Sequence, residues 1–140
     1  MNGKFMNFVN NSETTKLPRL LVVESYGFPE VLMIVKAGPE GYKDLLDGVR
    51  LKNLIHGERT HLTKVKLKQD AVIPEHQHPQ EQSGYLISGS LRFFSGDKET
   101  IVSVGDCWTF AGGEMHGAEA LEDTVVIEFF SPLREDYLNL

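Results

Sequence analysis

An all-β domain, built as a sandwich or barrel of short strands, is what the sequence predicts. Two observations carry this. From Val49 onward, short apolar and β-branched runs alternate with turn signals such as Ser95-Gly96-Asp97 and Gly112-Gly113. No amphipathic helix longer than two turns can be drawn anywhere along the chain. The expected strands are Val49–Ile55, His61–Lys68, Gln82–Ser88, Ser90–Phe94, Thr100–Val104, Cys107–Phe110 and Thr124–Phe130. Ser95-Gly96-Asp97 reads as the hairpin between two of them.

The N-terminal part is less regular. Residues 1–16 are rich in Asn, Ser and Thr and read as a flexible arm. Two short apolar runs, Leu20–Val23 and Val31–Val35, flank the turn signal Gly27-Phe28-Pro29. Tyr42–Asp47 is expected as one helical turn ended by Gly48. With no repeat and no linker, residues 17–140 read as a single domain with an N-terminal extension.

Composition narrows the function classes. The 140 residues are 41% hydrophobic and carry a net charge of -6, which disfavours nucleic acid as a partner. Lys64, Lys66 and Lys68 share one strand face and read as solvated. The sequence holds no apolar run of membrane-spanning length and no signal-peptide pattern, so a cytoplasmic protein is expected. The single cysteine, Cys107, cannot form a disulfide within the chain. It has no basic sequence neighbour and reads as a buried, inert thiol. Tyr85, Leu86, Phe93, Phe94, Trp108 and Phe110 are expected to fill the core.

The chemistry is concentrated in His76-Gln77-His78-Pro79-Gln80-Glu81-Gln82. On an extended strand His76, His78 and Gln82 share parity and so one face, while Glu81 points away. Two imidazoles so placed can share one ion, and His116, after the Gly112-Gly113 turn, is a candidate third ligand. A His-x-His pair alone is more often a surface feature than a ligand pair. His56 and His61 have no partner at metal spacing and read as structural or surface residues.

Residues 70–120 resemble the two motifs of the cupin superfamily. The first motif places Asp70, His76, His78, Gln82 and Gly89 at the family's spacing; the second places Gly105, Ala111, Gly113, His116 and Ala120. Asp70, Ala111 and Ala120 stand where the pattern has Gly, Pro and Asn, and Gln82 stands where most members have Glu. The resemblance implies a double-stranded β-helix, the jelly-roll barrel, with a metal held by His76, His78, Gln82 and His116. Ni, Zn, Fe, Mn and Co all accept imidazole, so the divalent ion is not specified. A neutral amide in place of a carboxylate leaves the ion its full charge, which favours Lewis-acid over oxygen chemistry.

The stretch His78-Pro79-Gln80-Glu81-Gln82 is similar to that of cupins related to the pectin-degradation protein KdgF, which open the ring of unsaturated uronates. The C-terminal run from Glu128 to Tyr137 resembles the same family's closing segment. There an Asp, a Phe and an Arg line the pocket; Glu128, Phe130 and Arg134 occupy those slots here. The resemblance thus implies Glu128 and Arg134 as catalytic residues, Phe130 as a pocket residue, and a carboxylate-bearing sugar as substrate. It also implies a homodimer. Two other readings stay open: a non-catalytic sugar- or acid-binding module, and an iron-dependent dioxygenase.

Overall fold

The computed structural model describes residues 33–140 and the backbone of Leu20 and Leu21. The expected arm over residues 1–16 and the turn Gly27-Phe28-Pro29 lie outside the described residues. The chain divides after Lys36. In the first unit β1 (Leu20–Leu21) pairs antiparallel with β2 (Ile34–Val35), Leu20 facing Val35.

The second unit, Ala37–Leu140, holds the strands β3 (Lys43–Leu46), β4 (Val49–His56), β5 (His61–Leu67), β6 (Val72–His76), β7 (Glu81–Ser88), β8 (Ser90–Ser95), β9 (Lys98–Ser103), β10 (Cys107–Phe110), β11 (His116–Ala120) and β12 (Thr124–Ser131), then the short helix α1 (Glu135–Leu138). They form two antiparallel sheets, a six-stranded one in the order β10-β7-β12-β5-β4-β3 and a four-stranded one in the order β6-β11-β8-β9. Strands distant in sequence lie side by side, β7 between β10 and β12 and β11 between β6 and β8. That interleaving is the jelly-roll arrangement.

Side-chain alternation explains the core. On β5, His61, Thr63, Val65 and Leu67 are buried while Lys66 is exposed. Val49, Leu51, Val65, Leu67, Leu86 and Val126 of the larger sheet pack with Leu91, Val102 and Ala120 of the smaller. Each such side chain contributes about 1.5–3 kcal/mol relative to exposure. Outside the core, the Lys66 Nζ lies 4.4 Å from the Tyr42 ring centroid. Gly84 is demanded by packing, because a Cβ there would enter the Trp108 indole on the paired strand β10.

Several expectations are corrected. Residues 43–46 form β3, not a helical turn. Gly48, at φ 70°, sits in the turn that folds β3 back on β4, so it ends a strand instead of a helix. β6 and β11 are additional strands, both short and broken by a register shift between His116 and Ala118. Tyr85 is 44% exposed, because odd positions of β7 point outward. Cys107 is exposed, since it starts the edge strand β10.

Candidate metal centre

The histidine segment is not one strand. β6 ends at His76, and residues 77–80 cross from the four-stranded to the six-stranded sheet, where β7 begins at Glu81. Pro79, with no N–H to donate, stands within this crossing. The crossing is pinned by the Gly112-Gly113 turn: Gly113 N–H donates to the His78 carbonyl at 2.8 Å, and Gly112 has no Cβ to strike the Pro79 carbonyl. His76 faces His116 across the β6–β11 pair. Parity does hold within β7, where Gln82 is buried and Glu81 exposed.

Three imidazoles converge from these separate places. One ligand nitrogen from each of His76, His78 and His116 lies within 4.8 Å of the others. The three Nδ1 atoms contact backbone carbonyls: His76 that of Pro74 at 2.9 Å, His78 that of Gln80 at 3.0 Å and His116 that of Glu114 at 2.8 Å. A carbonyl can only accept, so each Nδ1 carries the hydrogen. In the neutral rings each Nε2 therefore keeps a lone pair, the form a metal needs. Phe110 stacks on the His116 ring at 4.2 Å and 8°, which fixes its plane.

Gln82 lies beside His78. Its Nε2 donates to Glu128 Oε1 at 2.8 Å, which turns its Oε1 toward His78 Nε2, 2.9 Å away. With the His78 hydrogen on Nδ1, that contact sets two lone pairs against each other. A second proton on His78 would relieve it, but burial drives the His78 pKa down, and nearby Arg134 and His76 add to this against the pull of Gln82. Among the described residues His116 Nε2 is buried with no hydrogen-bond partner. Its pKa is also lowered, first by burial. A divalent cation shared by the three imidazoles would resolve both observations, and such a donor set, with the neighbouring amide oxygen, would suit Ni, Zn, Fe, Mn or Co.

A cavity of about 40 Å³ adjoins this cluster, walled by His76, Gln82, His116, Phe93, Glu128 and Tyr137 among others. Glu128, on β12, is half-buried and lines it. Burial pushes its carboxyl up to about 7, opposed by the Arg134 charge and the Gln82 hydrogen bond. Phe130 is 1% exposed and lies behind the cavity, its centroid 5.8 Å from that of His78. Arg134 is 8% exposed, with its Cζ 3.9 Å from the Tyr137 ring centroid and 5.3 Å from that of Phe130. Its Nε and Nη2 donate to Asp136 at 2.9 and 2.7 Å, and its Nη1 is buried without a partner among the described residues. Burial opposes the guanidinium charge, yet Asp136, Tyr137 and Glu128 outweigh it and raise the pKa.

His56 is exposed, and His61 is fully buried outside the triad. Sequence reasoning did not single out Tyr137, whose ring walls the cavity and whose hydroxyl is pushed up to about 12 by burial. An aromatic three residues beyond Arg134 was the available signal.

The comparisons with known proteins agree with this fold. The cupin domain family model matches residues 63–131. The pectin degradation protein KdgF of Dickeya dadantii (strain 3937) is 29% identical over 99 residues, spanning 69% of this chain and 90% of that protein. The structure of KdgF from Halomonas sp. superposes with a TM-score of 0.66 at 33% identity, covering 70% of this chain and 93% of that one. An RmlC-like cupin from Shewanella frigidimarina NCIMB 400 superposes with a TM-score of 0.66 at 22% identity over 71% and 89% of the two chains, a likeness of fold. With a KdgF aligned over nearly its whole length and two cupin motifs folded onto one pocket, the chain belongs to the cupin superfamily, among the cupins similar to KdgF.

Proposed function

We propose that this chain is a metal-dependent enzyme that opens the ring of a small unsaturated uronate of the kind released in pectin or alginate breakdown. One observation carries the reading: one nitrogen from each of His76, His78 and His116 lies within 4.8 Å of the others, the Gln82 amide oxygen is 2.9 Å from His78 Nε2, and the Gln82 amide nitrogen donates to Glu128 at 2.8 Å. A divalent ion bound there supplies a Lewis acid for substrate oxygens.

The chain's own residues divide the remaining work. In hydration, water adds across the ring's carbon–carbon double bond, a proton going to one carbon and a hydroxyl to the other. The hemiketal formed then opens to a ketone, with no oxidant or reductant consumed. Glu128, with a carboxyl near 7, is suited to carry the proton at neutral pH. Arg134 has an unpartnered Nη1 to offer a substrate carboxylate. A cavity of about 40 Å³, walled in part by Tyr137, takes an ion with the coordinating oxygens of the ligand. Phe130 packs against both Arg134 and Tyr137.

The same small cavity favours a second reading, a sugar-acid binding module without turnover. Incubating the nickel-loaded protein with 4,5-unsaturated galacturonate and following the ring form by NMR separates the two. Loss of the ring signal faster than in buffer supports the enzyme; saturable binding with no loss supports the module. We extend the proposal to a cytoplasmic homodimer, since among the described residues β3, β10, β6 and β9 stand at sheet edges; light scattering checks the assembly. Among the described residues no helix is long and apolar enough to cross a membrane.

A further inference from the structure

We infer that Asn53 and Gln80 are positioning residues that clamp the C-terminal segment 133–137, so that Tyr137 is held in the wall of the metal pocket with the Arg134 guanidinium against its ring. This inference rests on the proposed role of Arg134 in holding a substrate carboxylate.

The segment cannot hold itself. α1 spans four residues, far short of what stands alone in water. Its N-cap position, Arg134, makes no side-chain capping bond, and none of its residues is buried. Yet Arg134 beside it is 8% exposed and Tyr137 within it walls the cavity. Something outside the segment must fix it.

Two side-chain amides do so, one at each end. Gln80 Nε2 donates to the Leu133 carbonyl at 3.0 Å, and Asn53 Nδ2 donates to the Tyr137 carbonyl at 2.6 Å. These bonds bridge 53 and 84 positions of sequence, so they tie the segment to the barrel and not to itself. Gln80 belongs to the crossing that also carries His78, whose Nδ1 donates to the Gln80 carbonyl at 3.0 Å. One clamp is thereby joined to the histidine cluster.

The other clamp is oriented by His61. Its Nε2 lies 2.8 Å from Asn53 Oδ1 and, against a carbonyl oxygen, must donate. This sets the Asn53 amide with its oxygen toward His61 and its nitrogen toward Tyr137. His61 Nδ1 is then an acceptor, buried without a partner among the described residues. Burial first, then the charges of His56 and Arg134, hold His61 neutral, consistent with a single donating nitrogen. The β4 register shift between Asn53 and Ile55 coincides with the place where the Asn53 side chain reaches His61 and α1. This gives His61, buried yet outside the triad, a definite task.

The test uses the nickel-loaded protein and the variants Asn53→Ala, Asn53→Asp, Gln80→Ala and the double Asn53→Ala/Gln80→Ala. Amide hydrogen exchange of residues 133–140 is read by mass spectrometry, with nickel content and ring-opening kinetics alongside. Each single variant should exchange about fivefold faster in this segment, and the double faster still, with nickel content unchanged. Asn53→Asp keeps the acceptor for His61 but lacks the donor to Tyr137, so it should behave as Asn53→Ala. KM should rise with kcat nearly unchanged, as for a group that binds ground and transition state alike. Unchanged exchange at 133–140 in Asn53→Ala and in Gln80→Ala overturns the clamp. Faster exchange with unchanged KM overturns the positioning role. If the wild-type protein opens no ring, the uronate reading fails by itself, and galacturonate binding measured by calorimetry takes the place of KM in deciding the clamp.

Discussion

Gln82 Nε2 donates to Glu128 Oε1 at 2.8 Å, so the amide that turns its oxygen to His78 leans on an acid in the pocket wall. Glutamine and glutamate here form a matched pair: the donor needs the carboxylate, and the carboxylate, buried, needs the donor.

Exchanging that donor for a second acid should disturb the pair. In Gln82→Glu two carboxyl groups meet where one hydrogen bond was. They must share a proton or repel. The metal-free variant should lose about 2 kcal/mol at pH 8, measured by urea unfolding. Added nickel should restore most of this, because a nearby cation offsets the second charge. Equal stability of variant and wild type without metal would sever Gln82 from Glu128.

The Glu128 carboxyl also sets a pH dependence. Its pKa is raised from 4.5 to about 7 in the folded, metal-free chain, chiefly by burial. The folded state therefore binds this proton more tightly than the unfolded state, and stability falls as pH rises from 4.5 to about 7. Glu128→Gln removes that fall, so the variant should exceed wild type at pH 8 by up to about 3 kcal/mol. His78 and His116, with lowered pKa values, act oppositely, adding stability as pH rises toward 6.5. The difference between variant and wild type, taken at each pH, isolates Glu128. A difference independent of pH would place its carboxyl in water.

Gly84 offers a test of the barrel itself. A methyl at this position would enter the Trp108 ring, so Gly84→Ala forces the indole or β7 to shift. A cost of about 1–3 kcal/mol is expected. Trp108 is the chain's single tryptophan, so its fluorescence should shift with the mutation. An unchanged spectrum and melting temperature would mean that β10 does not pack as described.

Much of the barrel was legible because alternation is local. Val65 and Leu67 inward with Lys66 outward follows from the sequence alone, as does Gln82 buried beside exposed Glu81. The two motifs likewise pointed to the triad. What was not legible depends on tertiary partners. His76 and Gln82 were read as sharing one strand, whereas they lie in different sheets, brought together by the crossing at Pro79. Gly48 signals a chain reversal but does not say whether a helix or a strand precedes it; pairing of Lys43 with Leu51 decides for the strand. Asn53 and His61 lie eight residues apart, but Tyr137 is 84 positions from Asn53 and the three share no motif, so their joint task is visible only once β4, β5 and α1 are packed.

The central claim is that His76, His78, Gln82 and His116 hold one ion. X-ray absorption at the nickel edge, on protein loaded with one equivalent and dialysed, tests it most directly. The account predicts retained nickel with nitrogen and oxygen neighbours at about 2.0–2.1 Å, including imidazole scattering. It also predicts loss of that nickel in His116→Ala. Nickel that washes out of the wild type, or stays with the same spectrum in His116→Ala, would contradict it.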